Sequence, residues 1–512
     1  MKAIFRPNGW MTVSWQFTST AFLGLNTPIL SVAADIRAGL PQIQLVGLSE
    51  ARGKAIRERV RAALLNSGFT VPDRRITINL SPADLPTDHP GYDLPIALAL
   101  LAASNQLPEP INDPMNHPKN QPICALGELR LDGRVLPVPG LLLTAKCCLE
   151  RGQPFVSGAD ALPALVRGIK HFRLDHLASL KDPAFWSAPS SAFLAPTPTS
   201  SKSLAAVDRI TAGQQLQAIR DQPLGKLGLL TAALGGHHLL LCGPPGSGKT
   251  MLAQAILPLL PPLTQTACME IACLRSISPE QQSDAPTQRP FRVVHHSTSA
   301  AALIGGGAPP RPGEISLAHG GVLFLDELPE FASATLNQLR LPLESGAISL
   351  SRAHYRVTYP AGFQLIAAMN PCPCGWLGSG KPCSCDPQKV ARYQQRVSGP
   401  ILDRIDLQVA VSPVASSRLF EGDTHQEDLL SKLEDARAFR TERLKAKKND
   451  ALSSLSTAAK SRLVQSADAL GLSARSVNKI ASVSRTLADL ATEHEVLVEQ
   501  IDSALALRTA LG

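Results

Sequence analysis

The sequence predicts an α/β protein in three parts: an α+β domain, a core built on a parallel sheet, and a helical domain at the end. Three observations carry this. An all-apolar strand candidate, Leu239-Leu240-Leu241-Cys242, runs straight into a glycine-rich turn and then a helical stretch. A second apolar run, Val322 to Leu325, ends in the carboxylate pair Asp326-Glu327. Two shifts in composition, at 183–204 and 411–426, separate these features from what lies before and after.

With 512 residues, the chain has room for roughly three domains at ~150 residues each. A hydrophobic fraction of 44% with 18% charged residues is that of a globular protein and excludes wholesale disorder. No uninterrupted apolar run of about 18 residues occurs, so no membrane span is expected. The first residues lack the continuous apolar stretch of a secretory leader, and a cytosolic protein is expected. The net charge of +8 permits a polyanionic partner without establishing one. Ten cysteines in a chain of this length do not make a secreted disulfide scaffold. Cys124, Cys147, Cys148, Cys242, Cys268 and Cys273 are scattered and read as small buried thiols.

The first domain is expected over 1–182. The alternation Ile76-Thr77-Ile78-Asn79-Leu80 predicts a strand, Glu50 to Ser67 an amphipathic helix, and Leu94 to Ala103 a helix apolar nearly all round and therefore buried. Residues 183–204, rich in Pro, Ser and Ala, read as a linker. The core is expected over 205–412 and the helical domain over 413–512.

In the core, Gly243-Pro244-Pro245-Gly246-Ser247-Gly248-Lys249-Thr250 follows its strand and precedes the helical run Met251 to Leu257. That is a P-loop in its required context. The glycines let the backbone curl so that its N–H groups face phosphates, Lys249 reaches the terminal phosphates, and Thr250 offers a hydroxyl to Mg²⁺. A buried parallel strand delivers its C-terminal residues to the ligand crevice of an open sheet. Asp326 would therefore hold Mg²⁺, and Glu327 would orient and deprotonate an attacking water. A third apolar strand candidate, Gln364 to Met369, ends in Asn370, which fits a place beside a terminal phosphate or serves as a turn cap. A nucleoside triphosphate, ATP, with Mg²⁺ is the expected ligand pair.

Directly after Asn370 come Cys372-Pro373-Cys374 and Cys383-Ser384-Cys385, with Gly375, Gly378 and Gly380 between them. Four thiolates could close a tetrahedral Zn²⁺ site, or remain reduced or redox-active thiols. His295 and His296 are adjacent, which on a strand would send them to opposite faces, so packing or a nucleic-acid or subunit contact is expected rather than metal ligation. Ala347 to Tyr359 alternates as a hairpin would and carries Arg352 and Arg356, read as an ordinary solvated hairpin or as one that tracks a phosphate backbone. Arg437 to Lys448 is a basic helix candidate, read as a solvated face or a DNA contact.

Taken together these residues resemble the AAA+ ATPases related to magnesium chelatase, of the ComM/YifB competence type. The resemblance runs over nearly the whole chain, through Val46 to Glu50, Arg59 to Leu64, Asn79 to Leu85 and Tyr92 to Ala97. It continues through His295-His296-Ser297, Gly305 to Gly307, Pro312 to His319 and Leu339 to Glu344, with Val294 standing where the family usually has proline. It implies a ring, a hexamer, with ATP between subunits. Asn370 is then sensor 1, Arg404 an arginine finger acting on the neighbouring subunit, and Arg475 sensor 2. Spacing alone does not distinguish either arginine from a surface residue. The resemblance also implies a DNA helicase promoting branch migration during natural transformation, with the basic hairpin in the ring pore. A chelatase-like ATPase that remodels a protein partner is the alternative. The first domain resembles the proteolytic domain of Lon-type proteases. The stretch Pro86 to Asp93 has no serine nucleophile, and Gly140 to Thr144 lacks the lysine, although Lys146 lies nearby. An inactive relative is expected, ahead of an ATP-dependent protease.

Overall fold

The computed structural model describes residues 16–86, 89–108, 122–158, 162–187, 189, 193–194, 216, 218–278, 288–307, 310–351, 356–414, 426–446 and 451–508. The first domain is a mixed sheet of β1 (Gln16–Thr20), β2 (Ile29–Arg37), β3 (Gln42–Val46), β4 (Arg75–Ser81), β5 (Cys124–Leu126), β6 (Phe155–Ser157) and β7 (His171–Arg173), in the order β7-β6-β5-β1-β2-β4-β3. The expected alternation is visible in β4, where Ile76, Ile78 and Leu80 are buried. Helix α1 (Glu50–Asn66) turns Ile56, Val60, Ala63 and Leu64 inward. Helix α2 (Asp93–Ala103) is buried from Asp93 to Ala102, as its unbroken apolar composition requires. Its one charge, Asp93, is held by Nε and Nη2 of Arg59 at 2.9 and 3.0 Å.

The stretch expected as linker begins as part of this domain. Residues Pro183–Ser187 are helical and lay Trp186 against Phe172, ring centroids 5.8 Å apart, so aromatic packing extends the fold beyond 182. Residues 195–204 lie outside the described residues.

The core sheet consists of β8 (Leu239–Cys242), β9 (Phe291–Val294), β10 (Val322–Leu325), β13 (Gln364–Met369) and β14 (Leu407–Ala410), with β11 (Ala347–Ser351) and β12 (Arg356–Pro360) forming a separate hairpin. The core order is β9-β10-β13-β8-β14, and every pairing is parallel. Every residue of β8, β10 and β13 is buried, the pattern of strands covered on both faces. The order brings the C-terminal ends of β8, β10 and β13 side by side.

Helix α3 (Leu141–Arg151) of the first domain packs on α6 (Gln265–Ser276) of the core, its apolar face merging with Ala272 and Cys273. The amide of Gly140 donates to the carbonyl of Ser276 at 3.0 Å. Helices α4 (Pro223–Gly235) and α5 (Lys249–Gln254) flank β8 in sequence. The end of the chain is α8 (Gln426–Lys445), α9 (Thr457–Leu470), α10 (Ala474–Leu490) and α11 (Val498–Ala506). Ile480, Leu487 and Ile501 from these helices share one apolar cluster with Leu239, Phe324 and Ile366 of the sheet. No described helix is long and apolar enough to cross a membrane.

Candidate nucleotide-binding site

The P-loop leaves β8 through Gly243, whose Cβ would collide with the Val411 carbonyl. Gly246 and Gly248 adopt φ of +75° and +88°, a region that glycine enters without the Cβ penalty. The turn then feeds directly into α5, so Lys249 and Thr250 occupy its first positions. The Lys249 ammonium donates to the carbonyls of Gly243 (2.8 Å) and Pro244 (2.9 Å) and to Oδ1 of Asn370 (3.2 Å). Burial pulls its pKa below the usual lysine value, against the opposing pull of Asp326, Cys242 and Glu327. The chain thus places sensor candidate and P-loop lysine in direct contact across 121 residues of sequence.

Thr250 Oγ1 donates to Oδ2 of Asp326 at 3.4 Å, and the Glu327 amide donates to the other carboxylate oxygen at 2.9 Å. A hydroxyl beside a carboxylate oxygen is a hard-oxygen donor set that suits Mg²⁺. Glu327 sits at φ +52°, a left-handed conformation uncommon for a residue with a side chain. Sparsely populated backbone of this sort concentrates at functional sites.

One neighbour of Glu327 was missed in sequence. The chain leaves β9 at Val294 and turns, so the imidazoles of His295 and His296 do not take opposite faces. Their ring centroids lie 4.0 Å apart, and His296 Nδ1 is 3.3 Å from Glu327 Oε2. The alternation of a strand does not apply to them, because the pair lies beyond the end of β9.

Arg404 and Arg475 meet elsewhere. Nη2 of each lies 2.7 Å from Oε1 of Glu344, and Arg404 also donates to the carbonyls of Arg340 and Pro400. The two guanidinium groups hold the Glu344 carboxyl below the usual range, Arg404 contributing most. The site residues therefore form two groups: Lys249, Thr250, Asp326, Glu327 and Asn370 in one, Arg404 and Arg475 in the other.

The four clustered cysteines converge. Cys372 Sγ lies 3.4 Å from Cys374 and 3.7 Å from Cys383, and Cys374 lies 3.5 Å from Cys383. All four sulfurs are within 4.8 Å of one another. Zn–S bonds of about 2.3 Å in a tetrahedron require sulfurs about 3.8 Å apart, so the set fits zinc. Backbone amides, Trp376 first, hold the Cys374 thiol down to about 6. Cys383 is pushed up to about 12: the amide of Cys385 favours its thiolate, but burial and the neighbouring sulfurs outweigh it. Four crowded thiols do not all ionise without a cation among them.

The family model described as magnesium chelatase, subunit ChlI, matches residues 215–419. Two companions, for subunit ChlI of Mg-chelatase and its C-terminal part, match 32–157 and 424–508. YifB of Escherichia coli is 45% identical over 404 residues, 78% of this chain and 76% of its own length. The competence protein ComM of Haemophilus influenzae is 37% identical over 504 residues, 96% of each chain. The chain belongs to the magnesium-chelatase-like ComM/YifB family. Its core is thus that of an AAA+ ATPase, and ATP with Mg²⁺ are the ligands that such a site implies. A shorter similarity, 33% over 141 residues, links it to Lon protease 2 of Bacillus subtilis, consistent with a Lon-like first domain. In that domain the Thr144 hydroxyl meets Thr20 Oγ1 at 2.6 Å, and the Lys146 ammonium faces Glu150 at 3.8 Å. Thr87 and Asp88, in the stretch compared with the Lon nucleophile, lie outside the described residues.

Proposed function

We propose that this family member is a ring-forming, ATP-driven DNA motor of the cytoplasm, a helicase that promotes branch migration during natural transformation and recombination. The observation that carries the proposal is the division of the site. Five residues gather at the P-loop, while the two arginines share Glu344. Such halves are complementary when each subunit of a homo-oligomer, a hexamer, offers its arginines to the next subunit's phosphates. The ComM relative, which matches nearly end to end, is named as a competence protein.

In this reading the P-loop amides and Lys249 bind the triphosphate tail. Thr250 and Asp326 would hold Mg²⁺, which neutralises phosphate charge when bound. Glu327 orients the attacking water and takes its proton, Asn370 positions that water against the terminal phosphate, and Arg404 and Arg475 stabilise the charge that develops. The hairpin β11–β12 buries Ile348, Leu350, Val357 and Tyr359 and exposes Arg356, a side chain suited to tracking a phosphate backbone. Its companion Arg352 lies outside the described residues. Cys372, Cys374, Cys383 and Cys385 would hold Zn²⁺, which would cross-link the loop after Asn370 when bound.

The test is ATP turnover with and without single-stranded or branched DNA. Stimulation that vanishes in Glu327→Gln supports the motor. Turnover indifferent to every DNA structure overturns it. That second outcome favours remodelling of a protein partner, the reading supported by the magnesium chelatase descriptions of all three family models.

A further inference from the structure

The loop that carries the four cysteines is packed against the nucleotide site itself. Cys372 follows Asn370 by two residues and is fully buried. Its sulfur accepts from the Leu377 amide at 3.4 Å, which ties the turn back onto the first cysteine. Gly375 has φ +83°, and a Cβ there would lie 2.5 Å from Pro245 Cδ of the P-loop and 3.8 Å from Asn370 Cγ. The turn between the cysteine pairs thus rests on the outer wall of the P-loop, and only glycine lets it come so close.

The far end of the same loop is equally committed. Cys385 is followed by Asp386, whose carboxylate caps α7 (Pro387–Gln394) by accepting from the Lys389 amide at 2.8 Å. From the last turn of α7, Gln394 donates back to the carbonyl of Pro371 at 3.1 Å. Two residues beyond the helix, Arg396 pairs with Glu330, just past the Asp326-Glu327 strand end, at 3.1 Å. A cation on the four sulfurs would therefore join the sensor strand, the P-loop wall and the segment that leads to Arg404.

We propose that metal occupancy of the four-cysteine site controls nucleotide binding: zinc on Cys372, Cys374, Cys383 and Cys385 clasps the loop against Pro245, and its removal releases P-loop and sensor together. The inference rests on the zinc assignment above and adds a regulatory role to it. Without the cation nothing bonds the two cysteine pairs to one another, and the glycine-rich turn is free to leave the P-loop. The chain then folds with its sheet intact but presents Lys249 and Asn370 without their outer support. Displacement of the order of 1 Å in positioning groups is enough to cost orders of magnitude in binding or turnover.

The test uses the full chain, purified under reducing conditions. Zinc is counted per chain, and the affinity for a fluorescent ATP analogue with Mg²⁺ is measured before chelation, after it, and after zinc is restored. The expected result is one zinc per chain, affinity weakened roughly tenfold or more on removal, and recovery on restoration. Cys383→Ser should lose zinc and affinity together. Gly375→Ala provides an arm in which metal retention and loop contact separate: it should keep its zinc yet bind the analogue more weakly. A zinc-free chain that binds as tightly as the loaded one overturns the coupling while leaving the metal site standing. A wild-type chain that takes up no zinc after reconstitution overturns both, without touching the ATPase assignment.

Discussion

His296 Nδ1 stands 3.3 Å from Glu327 Oε2, just past the C-terminal ends of the paired strands β9 and β10. Glu327 is the proposed base, and half its side chain is exposed, so solvent alone would leave the carboxylate free to swing. A nearby imidazole limits that freedom. His296→Ala should lower kcat about tenfold or more while the affinity for ATP stays close to that of the unaltered chain. Asn at this position, which keeps one donor, should recover part of the loss. Single-turnover hydrolysis beside nucleotide titration checks this, and equal losses in both quantities would assign His296 to the fold rather than to Glu327.

Glu344 gathers two arginines on one carboxylate oxygen, Arg404 from 60 residues away and Arg475 from 131. If both serve the neighbouring subunit, Arg404→Ala should reduce turnover by about a thousandfold, the lower range for an arginine finger. Nucleotide retention at Lys249 should persist. Mixing Arg404→Ala with Lys249→Ala subunits should restore part of the activity, since hybrid interfaces then pair an intact P-loop with an intact arginine. Two inert variants that stay inert when mixed would place Arg404 in its own subunit's site.

Much of this was legible because strand ends and glycine turns are local signals. Leu239 to Thr250 and Val322 to Glu327 carry their geometry in consecutive residues, and the sheet placed them as the motifs required. Contacts set by folding were not legible. Nothing in Leu339 to Glu344 announces that its glutamate anchors two arginines. The basic run from Arg437 was expected to face solvent or DNA, yet Arg437, Arg440 and Arg443 turn inward. Burial lowers the pKa of Arg437 and Arg440, and Arg443 is only 7% exposed as it reaches Asp489. Charge patterning reports that a helix has a basic face, while the partner across from that face decides whether water sees it. Lys447 and Lys448, at the end of that run, lie outside the described residues.

Two histidines are folded in as neutral groups. Burial lowers His237 to about 4, although the Asp406 carboxylate at 3.9 Å pulls the other way, and its Nε2 meets Thr486 Oγ1 at 2.8 Å. His171, against Ser157 Oγ at 2.9 Å, is likewise lowered by burial to about 4. In the unfolded chain both would titrate near 6.5, so between pH 6.5 and 4 the unfolded state binds protons that the native state refuses. Stability is therefore full above about 6.5 and falls as acid is added through that window. Each site contributes on the order of 3 kcal/mol to the loss. His171→Gln should flatten the slope of unfolding free energy against pH in the first domain by about one proton. A slope that the substitution leaves unchanged would show that His171 is protonated in the native chain.

Asp489 is the anion on which the helical domain closes. It is fully buried, and Arg443 holds it at 2.8 Å from α8 while Arg485, one turn back on α10, reaches it at 3.2 Å. Arg485 also donates to the carbonyls of Glu493 and His494, where the chain leaves α10. Removing the carboxylate leaves two mostly buried guanidinium groups without the anion that neutralises them. Breaking a buried pair this way costs about 3–5 kcal/mol, far more than the pair contributes relative to a well-packed apolar replacement. Asp489→Ala should therefore unfold the helical domain at markedly lower denaturant, and with it loosen Arg475, which lies on the same helix as Arg485. Replacing Asp489, Arg443 and Arg485 together with apolar residues of similar volume should return most of the stability. Denaturant unfolding of both variants separates the two cases: if the triple replacement were as unstable as Asp489→Ala, the network would be stabilising in itself rather than merely costly to break.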